Sequence, residues 1–83
     1  MPVSQELIQA IVEMRETDAL RIADDLLEGG ADPMDVLGAC REAMEEVGRR
    51  FETGQCFVPE LIMAGEILGR ISDKAKPYLR QEE

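Results

Sequence analysis

The residues with the clearest chemical character lie between Val47 and Leu61, in the run VGRRFETGQCFVPEL. Phe51, Phe57, Val58 and Leu61 gather there around a turn, where one helix is expected to end at Gly54 and the next to begin at Pro59. Short turns ordinarily carry polar residues. Apolar bulk at such a place either fills the domain's own core or covers something else. A surface of this kind can exclude water and make close contact, but it cannot move protons. The remaining residues add little to that chemistry. The chain has no histidine, the side chain that titrates near neutral pH. It shows no nucleophile elbow, no glycine-rich phosphate loop and no paired metal-ligand motif. These gaps argue against a stand-alone enzyme.

The other candidates have plainer roles. Cys40 falls on an apolar stripe and is expected to be a small buried thiol, whereas Cys56 lies in the turn, where partial exposure is expected. Their spacing fits neither a redox pair nor a zinc site, and both are expected to be reduced, as in a cytoplasm. Asp24-Asp25 and Glu45-Glu46 read as solvated helix faces. Glu60, in the first turn of the last helix, favours the positive end of the helix dipole. Gly48 and Gly65 stand inside helices, where glycine costs about 1 kcal/mol against alanine. Close helix contact is the expected reason, with room for a flat ligand as the alternative.

Four amphipathic helices must position these residues. The first is expected over about residues 4–15, with Leu7, Ile8, Ile11, Val12 and Met14 at helical spacing and Ser4 as its cap. The second, about 17–28, carries Leu20, Ala23, Leu26 and Leu27 and stops at Gly29-Gly30. The third, about 33–53, opens on Asp32-Pro33, an acidic cap followed by proline at the first helical position. Leu37, Cys40, Met44, Val47 and Phe51 form its inward stripe. The fourth, about 59–76, has Leu61, Ala64, Gly65, Leu68, Ile71 and Ala75 as its stripe, widened by Ile62, Met63 and Ile67, and Pro77 closes it. Val58, just before Pro59, takes the cap position with an apolar side chain, forgoing about 1 kcal/mol of capping. No segment alternates with period two, so the fold is all-α, an antiparallel four-helix bundle.

Composition sets the outer bounds. Eighty-three residues make one small domain, and 45% hydrophobic content is globular rather than disordered. Apolar runs are too short to span a membrane, and MPVSQELIQ has no signal character. Eighteen acidic against nine basic residues give a net charge of −9, which repels phosphate backbones and anionic lipids. Nucleic acid and membrane are therefore excluded as partners, and a cytoplasmic location is expected. Arg70, Lys74, Lys76 and Arg80 read as charge opposing the dipole at a helix end.

The stretch MEEVGRRFETGQCFVPELIMAGEILGRI, Met44 to Ile71, resembles the helical cap of cobalamin-binding modules. Such caps occur in cobalamin-dependent methionine synthase and in the small corrinoid proteins of methanol, methylamine and aromatic methyl-ether methyltransferase systems. Val47, Gly48, Phe51, Gly54, Phe57, Val58 and Pro59 fit the family pattern, and GGADPMDVL fits upstream. The resemblance implies a four-helix cap over the upper face of a corrin ring. It implies that Phe51 is the aromatic shield above the cobalt-bound methyl group, that Val58 and Leu61 are its aliphatic neighbours, and that Phe57 packs beside them, more core than contact. It implies cobalamin as cofactor, with a Rossmann-like cobalamin-binding domain and methyltransferase subunits as partners. That domain normally supplies a histidine below the cobalt within an aspartate-x-histidine-x-x-glycine motif. No histidine occurs here, so weak or no cobalamin binding by the chain alone is expected, as for a fragment ending in the linker KPYLRQEE. Light-sensing cobalamin repressors share the cap but carry tryptophan where Phe51 stands and a glutamate-histidine pair where Leu61-Ile62 stand, so a light-sensing role is disfavoured. A second class of function remains open: a helical interaction module whose apolar turn docks a partner or, in isolation, a second copy of the chain.

Overall fold

The computed structural model describes residues 3–79, which form four helices: α1 Val3–Val12, α2 Glu16–Glu28, α3 Pro33–Glu52 and α4 Val58–Leu79. Each helix has two close neighbours. The strong pairs are α1 with α2, α2 with α4, α4 with α3, and α3 with α1, so α2 and α3 face each other across the diagonal despite being consecutive. Two ion pairs tie α2 to α4, Glu16 with Arg70 at 3.2 Å and Asp24 with Lys74 at 3.1 Å. They climb both helices in the same order, so this neighbouring pair is parallel, while the turns at 13–15 and 53–57 reverse the chain between α1 and α2 and between α3 and α4. Arg70 and Lys74 are thus cross-links between helices. Lys76 bonds Asp73 within the last turns of α4, and Arg80 lies outside the described residues.

The core is narrow because small residues face it. Ala10, Ala19, Ala23, Ala39, Ala43, Ala64 and Ala75 are buried alongside Leu7, Ile11, Val36, Val47, Ile67 and Ile71. In α3 the inward row is Val36, Ala39, Cys40, Ala43 and Val47, rotated from the expected one. Leu37 and Met44 pack at its margin, and Phe51 leaves it altogether. In α4 the buried row is Ala64, Ile67, Ile71 and Ala75; Gly65, Ile62 and Met63 face outward. Neither Gly48 nor Gly65 is required by close packing, since a Cβ at either would meet nothing within 4 Å.

Helix ends follow one device used three times. After α2, Gly30 (φ 97°) lets Ala31 N–H donate to Leu26 O at 2.9 Å; after α3, Gly54 (φ 83°) lets Gln55 N–H donate to Arg50 O at 2.7 Å. Each is the left-handed closure that returns a late N–H to an orphan carbonyl. The third closure ends α1 at Val12, short of the expected Arg15. Met14 takes φ 63°, and Arg15 N–H donates to Ala10 O at 2.8 Å. A methionine in that conformation costs about 1–2 kcal/mol; the hydrogen bonds and the packing of Met14 against the core offset it. Ser4 stands inside α1 and is not its cap. Asp32 does cap α3, its carboxylate accepting Met34 N–H at 2.9 Å. Pro77 does not close α4, which continues to Leu79. Pro77 offers no N–H to the ladder and crowds the carbonyl four residues back, and the helix carries both within its last turn.

Candidate functional site: the α3–α4 elbow

The elbow is fixed by backbone geometry on both sides of its aromatic residue. Val47 to Glu52 complete α3, and the Gly54 closure brings Gly54 N–H to Phe51 O at 3.1 Å. Cys56 then turns inward. It is only 5% exposed, its N–H donates to Arg50 O at 3.1 Å, and its thiol lies 3.8 Å from Val47 O. The expectation of a partly exposed Cys56 is therefore corrected: it is the plug that ties the elbow to the core. Phe57, not Val58, is the cap of α4. Its carbonyl accepts Glu60 N–H at 3.0 Å and Leu61 N–H at 3.3 Å, and its own N–H donates to Glu60 Oε1 at 2.7 Å. This is the glutamate half of a capping box, and it explains how an apolar residue can open a helix.

With Cys56 turned in and the first turn of α4 begun, the neighbouring side chains are thrown outward. Phe57 is 64% exposed, Val58 56% and Phe51 42%. Leu61 is partly buried and packs against the core. So three of the four candidate residues face solvent and one bridges to the interior. Phe57, expected to be more core than contact, is the most exposed large apolar side chain of the described residues. Ile62 joins the same face at 58% exposure, while Met63, 45% exposed, lies about 100° further round α4, on the flank of Arg70; the sequence pattern places both on the inward stripe. Once Val58 points outward, Ile62 must follow, one turn along the same row.

The surroundings are polar only at the rim. Glu46 receives hydrogen bonds from Arg49, and from Arg50 at 3.1 Å. These bonds, that from Arg49 first, hold its carboxyl below its ordinary range. Glu60 is the acidic side chain that touches the elbow backbone, and it is engaged with Phe57 N–H. The apolar face is distinct from the clefts flanking α3. One of these is lined by Gln5, Gln9, Glu42 and Arg49 and another by Leu26, Met34, Asp35 and Glu42, away from Phe57 and Val58. Among the described residues no group of histidine, cysteine or carboxylate side chains could hold a metal ion. What the arrangement offers is an outward-facing apolar surface on a hydrogen-bonded turn.

Residues 3–76 match the model of the family described as B12 binding domain, a helical cap. The chain belongs to that family. The B12 binding domain match covers nearly the whole chain, from the start of α1 to the last turn of α4, and the fold is all-α as such a cap requires. The chain is similar to Trimethylamine corrinoid protein 1 of Methanosarcina acetivorans, with 31% identity over 75 residues, covering 89% of this chain and 35% of that protein. It is likewise similar to Trimethylamine corrinoid protein 1 of Methanosarcina mazei, with 29% identity over 75 residues and the same coverage. The chain thus spans about a third of the length of the curated relatives it matches. No solved structure matches it. Among the described residues, no helix is long and apolar enough to cross a membrane.

Proposed function

We propose that this B12 binding domain is the cap module of a corrinoid methyl-carrier protein and that the elbow face shields the upper side of the cofactor. Phe51, Phe57, Val58 and Leu61 form the lid, extended by Ile62. The observation that carries this is the outward display of large apolar side chains on a hydrogen-bonded elbow, beside a core that is otherwise closed. The residues fit a corrinoid's upper face, because they bring apolar contact and no competing acid or base. The corrinoid, when bound, supplies the cobalt that carries the methyl group. The chain's own contribution is to exclude water and hold an apolar wall over the reacting centre, a role that needs no catalytic side chain. Residues 1–83 act as one cap domain. A Rossmann-like cobalamin-binding domain supplies the opposite face, and methyltransferase subunits deliver and receive the methyl group. The free thiols of Cys40 and Cys56 suit a reducing, cytoplasmic setting.

The test uses two methionines as reporters, one of them introduced by Ile62→Met. Position 62 lies on the elbow face, while Met34 is 61% exposed at the opposite end of α3, about 26 Å from Phe51 along the helix. In the Ile62→Met chain joined to a corrinoid-loaded domain, peroxide oxidation at position 62 is expected to slow relative to the chain alone, with Met34 as the reference. Equal protection of the two, or none at position 62, would remove the lid.

The same apolar face favours a second reading, association of two copies in the absence of a corrinoid. Sedimentation of the isolated chain should then show a dimer that Phe57→Ser disperses. A clean monomer at high concentration removes this alternative.

A further inference from the structure

We infer that Glu60 is a positioning residue for the lid: its carboxylate latches the backbone of Phe57 and so sets the direction in which the exposed ring is held. This rests on the lid proposed above. Glu60 grips the Phe57 peptide from both sides, accepting Phe57 N–H at Oε1 (2.7 Å) while its own N–H donates to Phe57 O (3.0 Å). On the other flank, Cys56 is held by its N–H bond to Arg50 O at 3.1 Å and by its buried side chain. The Phe57 ring gains little support from its own contacts, being 64% exposed. The direction in which its Cα–Cβ bond leaves the elbow is therefore set by the main chain, and Glu60 is the side chain that fixes that backbone. A contact surface held ready before its ligand arrives loses less conformational freedom on binding. The bond also occupies the carboxylate that borders Phe57, where a free one would bring water to the face.

The variants are Glu60→Ala, which removes the acceptor, and Glu60→Gln, which retains an acceptor oxygen. In the 83-residue chain, the Phe57 amide is expected to resist hydrogen exchange and to show a backbone order parameter of about 0.85, in the native protein and in Glu60→Gln. In Glu60→Ala the protection is lost and the order parameter falls below about 0.6, with the amides of the helix interiors unchanged. In the corrinoid-loaded protein, Glu60→Ala accelerates light-driven loss of the methyl group from methylcobalamin and Glu60→Gln does not. A glutamate that merely stabilised the start of α4 would lower the melting temperature while leaving the Phe57 order and the light-driven rate at native values, and that result overturns the inference. If Glu60→Ala does not fold, the native chain decides alone: exchange of the Phe57 amide at the rate of an unstructured peptide overturns it, and protection supports it. Failure of the lid itself is separable, because Phe57→Ala would then leave the light-driven rate unchanged while the latch measured at the Phe57 amide still stood.

Discussion

Phe57 and Ile71 show how differently two large apolar residues can serve this chain. Ile71 is fully buried between the helices, whereas Phe57 is 64% exposed at the elbow. Truncating a buried isoleucine to alanine removes transfer energy and leaves a cavity, so Ile71→Ala should destabilise the isolated chain by about 2–5 kcal/mol. Phe57→Ala should change its stability by no more than about 0.5 kcal/mol, as expected for a surface site. Urea unfolding of the two variants measures both; a large loss in Phe57→Ala would mean that the ring is structural. Cys40 gives a prediction in pH. Burial pushes its thiol from the ordinary 9.0 up to about 11. The unfolded chain releases this proton first, so the group's contribution to stability is complete below pH 9.0 and is lost as pH rises towards about 11. Alkaline destabilisation across that window should therefore be weaker in Cys40→Ala than in the native chain, as read by unfolding at matched pH. Equal pH dependence in the two proteins would contradict the assignment.

At the scale of elements, α4 carries two faces with different duties: Ala64, Ile67, Ile71 and Ala75 close the core, while Val58, Ile62 and Met63 remain on the surface. Gly65 lies on the open side, where an added methyl group would meet nothing within 4 Å. Gly65→Ala should accordingly raise the stability of the isolated chain by about 0.5–1 kcal/mol, the ordinary gain for a helix interior. Thermal melting tests this, and a lower melting temperature would show that the glycine is needed within the bundle. The elements whose boundaries follow from local chemistry were legible in the sequence. Asp32-Pro33 opens α3 because a carboxylate beside a proline satisfies a helix start without outside help, and Gly30 and Gly54 mark closures because glycine accepts positive φ. Met14 was not legible, since nothing in a methionine announces the left-handed conformation that ends α1. The inward rows were legible to within about one helical position. Periodicity finds a stripe, but the alanine-lined approach of neighbouring helices decides which edge of it is buried, and so Leu37 and Met44 gave way to Val36, Ala39 and Ala43. The place of the elbow was legible, and Phe51, Val58 and Leu61 stand around it as the helix breaks imply. The exposure of Phe57 was not legible because its place as cap depends on the reach of the Glu60 side chain, and that of Ile62 and Met63 was not legible either, because apolar residues beside a stripe read as part of it.

The whole molecule combines a closed alanine-rich interior, a strongly acidic composition and one apolar elbow. A net charge of −9 opposes non-specific association of copies, which leaves the apolar elbow as the place where a neutral surface or a second copy can seat. The chain belongs to the B12 binding domain family, and the proposed lid draws on a hydrogen-bonded backbone at the turn, apolar side chains in front of it and ion pairs such as Arg50 with Glu46 at 3.1 Å. The most direct test of this account is the rate of light-driven cobalt–carbon cleavage in methylcobalamin held by the chain together with its cobalamin-binding domain. An apolar wall that confines the departing methyl group favours its return, so Phe51→Ala and Phe57→Ala should each speed the net cleavage and shift the visible spectrum. Rates and spectra identical to those of the native protein in both variants would contradict it.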